Sequence, residues 1–179
     1  MPAVELSRLR ARFKLLQLQI EDPVEFTRGL REIFIFHADL THPAGDSPSG
    51  VFTHPVFNTP RLLNSEVVKF LNPFVTQNPQ LLLQIIDRLW REPEVELREL
   101  AAQLLGKLPS SHYPEVLARI QAWSQVETDA DLFPFLHQQA SAAIRQQSPE
   151  LWLEVLNGWI SSNEPWLTKL ALAGTIPLI

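Results

Sequence analysis

The sequence predicts an all-α solenoid of antiparallel helix pairs, and three observations predict it. First, the stretch from Asn78 to Ile179 repeats with a period of 35 residues: Pro79, Pro114 and Pro149 are equally spaced, and so are Leu97, Leu132 and Leu167. Second, neighbouring positions repeat in kind, as in Ile85, Ile120 and Val155, or Glu94, Asp129 and Glu164, or Leu100, Phe135 and Leu170. Third, each unit holds two apolar-periodic segments separated by a short polar link. Repeats of this size are helical hairpins that bury their apolar faces against one another. The period lies between the tetratricopeptide and HEAT lengths. The small residues that tetratricopeptides place at fixed packing positions are missing, so the units are HEAT-like.

Three units follow, over 78–112, 113–147 and 148–179. Helix A of each opens at Asn78-Pro79, Tyr113-Pro114 or Ser148-Pro149. Proline suits the first helical position, where its missing N–H has no partner anyway. Asn78 and Ser148 are expected N-caps. Apolar residues then recur at helical spacing: Leu82, Ile85, Ile86 and Leu89 in the first unit, Trp152, Val155, Leu156 and Trp159 in the third. Helix B restarts after Arg91-Glu92-Pro93, Glu127-Thr128 and Ser161-Ser162-Asn163. In the last unit it is expected from about Glu164 through Ile176.

Upstream, Val4 to Ile20 reads as an amphipathic helix with Leu6, Leu9, Phe13, Leu16 and Ile20 inward. Its four bases, Arg8, Arg10, Arg12 and Lys14, spread around the helix and read as a solvated face. Asp22-Pro23 opens a second helix to about His37, heavily apolar through Phe26, Leu30, Ile33, Phe34 and Phe36. These helices occupy 1–40. Residues 41–57 are rich in proline and glycine and are expected to be an exposed loop. The set His37, Asp39, His42, Asp46 and His54 holds metal-ligand types, but its spacing fits no specific site. Thr41-His42-Pro43 and Thr53-His54-Pro55 read as turns, so no metal is expected. A helix of a degenerate unit fills 58–77, with Asn58 or Thr59 as its cap and Leu63, Val67, Val68 and Leu71 inward.

Composition fits one domain over 1–179, with 45% apolar residues, five Trp and ten Phe for a continuous core. The chain has no run of eighteen apolar residues and no signal-peptide core, so no membrane association is expected. It has no cysteine, which excludes disulfides and thiolate zinc sites and makes a cytoplasmic location the default. Net charge is −5. There is no phosphate-loop, dinucleotide or HExxH pattern, so no cofactor is expected.

The run Asn58-Thr59-Pro60-Arg61-Leu62-Leu63 looks like the "x-T-P-x-L-R" helix start of the DNA alkylation repair family, alkylpurine DNA glycosylases built from HEAT-like repeats. Ile120-Gln121-Ala122-Trp123, then Ser148-Pro149-Glu150-Leu151, Gly158-Trp159-Ile160 and Glu164-Pro165-Trp166-Leu167-Thr168-Lys169-Leu170-Ala171, resemble its "W…PEL…W…WLRRAAL" run at similar spacing. The resemblance covers about 58–179. It implies a right-handed curved solenoid whose concave face holds duplex DNA.

Position by position, the resemblance does not carry the family's catalytic residues over. Its catalytic Asp falls on Pro134 and the Trp four residues earlier on Ala130; its concave Arg falls on Lys169, and a further Trp falls beyond residue 179. Glu99, Pro134 and Lys169 share one register of the repeat, and shared registers stack on one face. A carboxylate in mid-face would stabilise a cationic sugar transition state, and proline cannot. Asp129 and Asp131 lie one turn earlier and read more simply: Thr128 or Asp129 caps helix B, and Asp131 sits in its first turn. The expected ligand-binding residues on the concave face are Lys169, Trp166, Arg98 and Asp131, near Glu96 and Glu99. The expected function is a non-catalytic binding module whose partner is duplex DNA or a protein. The alternatives are a glycosylase using a displaced carboxylate such as Asp131 or Asp129, and a pure protein-assembly scaffold. After Lys169 the chain carries no charge, so the apolar end at Leu172, Ile176, Leu178 and Ile179 is expected to lie in a longer chain or a homodimer interface.

Overall fold

The computed structural model describes residues 5–38, 54–127 and 132–175. Helix is the dominant secondary structure of the described residues, and there is no strand among them. They fall into two compact units, Met1–Ala101 and Ala102–Ile179. Among them no helix is long and apolar enough to cross a membrane.

The first unit holds α1 (Leu6–Gln17), α2 (Pro23–His37), α3 (Arg61–Leu71), α4 (Phe74–Gln77), α5 (Pro79–Arg91) and the start of α6 (Val95–Leu105). Asp22 caps α2 by accepting from the N–H groups of Val24 and Glu25 at 3.0 and 3.2 Å, so orphan donors of its first turn are satisfied. Asn78 caps α5 in the same way through Leu81 N–H at 3.2 Å. The inward face of α5 is fully buried at Leu82, Ile85, Ile86 and Leu89. Two residues of the expected apolar faces turn outward. Leu6 is exposed at the first position of α1, and Phe36 is 54% exposed. The Phe36 ring instead carries the Arg12 guanidinium 4.0 Å from its centroid.

The expected cap of α3 is also different. The helix begins behind Pro60 without a side-chain cap, and Asn58 adopts a left-handed φ of 54°. That turn aims Phe57 N–H at Glu96 Oε2, 3.0 Å away. Residues 54–60 are therefore fastened to α6: Val95 N–H donates to Pro55 O at 3.0 Å, and Arg98 Nη1 lies 3.0 Å from His54 Nε2. His54 and Val56 are half-buried, which corrects the exposed loop expected there. His37 is buried at the end of α2. Asp39, His42 and Asp46 lie outside the described residues.

The second unit holds the end of α6, a single 3-10 turn at Ser110–His112, α7 (Tyr113–Val126), α8 (Leu132–Ala140), α9 (Ala142–Gln147), α10 (Pro149–Ile160) and α11 (Pro165–Thr175). α7 packs on α8 and α10 on α11, and α11 also touches α7 and α8. Ser148 makes no side-chain cap to α10, contrary to expectation; its own N–H closes α9 on Ile144 O at 2.8 Å. One residue serves as the end of α9 and the start of α10. Gly106 explains how tightly α6 meets α8. A Cβ there would lie 1.8 Å from the Gln139 carbonyl oxygen, and Gly106 O accepts from Ala143 N–H at 3.2 Å. Trp152 is fully buried, and its indole N–H donates to Gly174 O at 3.4 Å. At the C-terminal end Leu172 is 60% exposed, while Ile176, Leu178 and Ile179 lie outside the described residues.

Candidate functional site

In the second unit a cleft of about 560 Å³ opens where α7 ends, α8 begins and α11 passes. Ser124 and Gln125 come from the last turn of α7, Glu127 from the link, Phe133 from α8, and Trp166 and Lys169 from α11. The helical period explains the pairing on α11, since residues three apart share a face. Trp166 is half-buried and Lys169 is exposed. The Lys169 ammonium lies 4.8 Å from the centroid of the Phe133 ring. An exposed cation–π contact is worth only about 0.5–1 kcal/mol, so a stronger anionic ligand can draw the ammonium away at small cost.

Beneath the cleft lies a buried imidazole. His137 is fully buried, with Phe133 tilted against it at 4.9 Å and Ser124 Oγ 3.0 Å from its Nε2. Burial pushes its pKa down to about 4, so the ring is neutral near pH 7. Its Nδ1 is buried and has no hydrogen-bond partner among the described residues. Glu127 is 5% exposed, and its N–H closes α7 on Trp123 O at 2.9 Å. The cleft therefore offers a cation, two aromatic walls, a hydroxyl and a carboxylate.

Of the residues expected to bind ligand, Trp166 and Lys169 come together here. Arg98 belongs to the first unit. There its Nε donates to Glu92 O at 2.9 Å, its Nη1 meets His54, and its guanidinium stands over Trp90 at 5.7 Å. These contacts explain its position as a fastening of the 54–60 segment. Beside it, burial raises the pKa of Glu99 to about 7, helped by the charge of Glu96 and opposed by Arg61. Glu96 is raised by burial too, against the pull of the backbone N–H groups it accepts. Asp129, Ala130 and Asp131 lie outside the described residues. Pro134 stands exposed in the first turn of α8, where proline is tolerated.

Ser124, Gln125, Glu127, Phe133 and His137 were not reached from the sequence. A signal for two of them exists in the repeat. Ser124 shares its register with Leu89 and Trp159, which are buried, and His137 shares its register with Ala102 and Leu172. Only the middle unit carries a polar residue at both positions, and the two are hydrogen-bonded.

No curated protein and no solved structure matches this chain. The sequence model of the DNA alkylation repair enzyme family matches residues 62–179, well over half of the chain. That stretch contains every residue of the cleft. The chain belongs to the DNA alkylation repair enzyme family.

Proposed function

We propose that the chain is a HEAT-like repeat binding module of this family, with its helix pairs stacked as a right-handed solenoid, that takes the backbone of duplex DNA into the cleft without excising bases. The observation that carries this reading is the Lys169 ammonium poised over Phe133 beside Trp166. A lysine on a flexible stem contacts phosphate as a point charge, and aromatic walls accept the sugar or base beside it. The absence of excision rests on Pro134 and Ala130, which stand where the family's Asp and Trp are expected. Proline has no group to stabilise a sugar cation.

The test is an electrophoretic shift with plain and alkylated duplex at two salt concentrations. Binding that weakens steeply with salt is expected for both duplexes. Lys169→Ala lowers affinity and reduces the salt slope by about 0.9, one phosphate contact. Equal binding by wild type and Lys169→Ala overturns the role of the cleft.

A second reading is supported by Glu127. A carboxylate buried at the edge of the cleft is the displaced acid that base excision needs, in place of the Asp131 and Asp129 expected earlier. Release of 3-methyladenine or 7-methylguanine that disappears in Glu127→Gln establishes that reading over the first.

A further inference from the structure

The Ser124–His137 pair is the feature of the second unit that the reading above leaves unused. Among the three units the middle one alone carries polar groups at both of these registers, in place of the buried Leu89 and Trp159 at one and of Ala102 and Leu172 at the other, and it places them in contact at 3.0 Å. A polar pair introduced into a repeat core costs desolvation unless each group is satisfied. His137 is only half satisfied, because Nδ1 is buried without a partner among the described residues. That orphan selects the tautomer. A buried N–H without an acceptor is rarer in folded proteins than an acceptor without a donor. On this count Nδ1 is assigned as the bare nitrogen and Nε2 as the protonated one. The ring is neutral near pH 7, so no second proton complicates the assignment.

The consequence falls on the serine. Its hydroxyl has one proton and two lone pairs. If Nε2–H donates to Oγ, the serine proton is not spent on the histidine. Ser124 is half-buried and lines the same cleft as Lys169. Glu127, the carboxylate of the cleft, has a partner of its own.

We infer that Ser124 is a phosphate-binding hydroxyl, and that the buried His137 is the positioning residue that turns its proton toward a phosphodiester oxygen held by Lys169. This rests on the reading that the cleft takes a DNA backbone. It adds a neutral, directional donor to a point charge, which fixes where the phosphate sits as well as attracting it. The competing role for the hydroxyl is purely local, donation to the carbonyl of Ile120 one turn back in α7.

The experiment is fluorescence anisotropy with a labelled plain duplex, run on wild type, Ser124→Ala, His137→Leu, His137→Gln and Lys169→Ala, with circular dichroism as the fold control. Imidazole nitrogen NMR on wild type reads the tautomer directly. Ser124→Ala and His137→Leu are expected to lose about tenfold in affinity, the size of a hydrogen bond to a charged group. Because Gln presents an N–H near the position of Nε2, His137→Gln is expected to keep most of the affinity. A ring protonated on Nδ1 overturns the inference. So does wild-type affinity in Ser124→Ala when Lys169→Ala is weakened, a result that leaves the parent reading intact. If Lys169→Ala binds like wild type, or wild type does not bind duplex, the parent reading falls and this inference falls with it. A parallel titration with inorganic phosphate separates the sources. Saturation at Ser124 by millimolar phosphate, with no duplex binding, assigns the site to a free anion and overturns the phosphodiester.

Discussion

Glu99, half-buried, and His137, fully buried, are two titratable groups whose burial acts in opposite directions on stability. Glu99 is raised from 4.5 to about 7, chiefly by burial. Between those values the folded chain binds more protons than the unfolded one, so stability falls as pH rises. The contribution is complete below pH 4.5 and is lost as pH rises through 7. His137 is lowered from 6.5 to about 4 by burial. There the unfolded chain binds more protons, so stability rises with pH across that window, is complete above 6.5, and is lost as pH falls through 4. Each shift is worth on the order of 3 kcal/mol at its unfavourable extreme. Glu99→Gln, which keeps shape and removes charge, is expected to stabilise the protein at pH 8 and to do little at pH 4.5. His137→Gln is expected to lessen the loss of stability on acidification to pH 4. Urea denaturation of both variants across pH 4–8 checks the two signs separately; a wild-type dependence retained in Glu99→Gln would show that its carboxyl is not the group. Neither shift was visible in the sequence. Glu99 reads there as one polar member of a register, and its environment depends on Glu96, Arg61 and the 54–60 segment, which meet only in the fold.

At the scale of elements, the sequence was most legible where one helix carries its own signals. α2, α5 and the last helix lie within a residue or two of expectation, because Asp22-Pro23, Asn78-Pro79 and the apolar period are local. It was least legible where a residue serves two elements. α4, the 3-10 turn and α9 each precede a helix A, and none announces itself, since three to six residues hold less than two helical turns. Ser148 looked like a cap and is committed to closing α9 instead. Gly106 likewise gave no hint of its task. Its missing side chain lets α6 and the end of α8 meet backbone to backbone. Gly106→Ala is expected to destabilise the protein by about 3 kcal/mol, the upper end of overpacking, because the obstacle is a carbonyl rather than a flexible side chain. Thermal unfolding of that variant beside Gly158→Ala makes the comparison, since a Cβ at Gly158 meets nothing within 4 Å. Equal melting points for the two variants would contradict the close approach.

For the whole molecule, the family was legible from residues 58–179 and the match over 62–179 agrees with it. Of the six residues that line the cleft, the sequence singles out Lys169 and Trp166, which sit in a motif that the family shares. Ser124, Glu127 and Phe133 sit outside it and join the cleft only through the packing of α7 and α8 around α11. The charge distribution sets an expectation for binding. Residues 1–31 carry six bases and four acids, and the remainder nine and sixteen. A net charge of −5 gives little long-range attraction to DNA.

The five tryptophans divide unequally: Trp90, Trp123, Trp152 and Trp159 are buried at 8% exposure or less, and Trp166 alone is half-buried, at the cleft. The protein thus contains its own optical gauge of occupancy. Four indoles give a steady, shielded emission, and the fifth is the one that an aqueous collisional quencher reaches. Acrylamide is expected to extinguish a minor accessible fraction, which disappears in Trp166→Phe and is shielded when the cleft fills. Unlabelled protein can then be titrated with any ligand in a fluorimeter, and a signal unchanged by Trp166→Phe would mean that the emission comes from elsewhere.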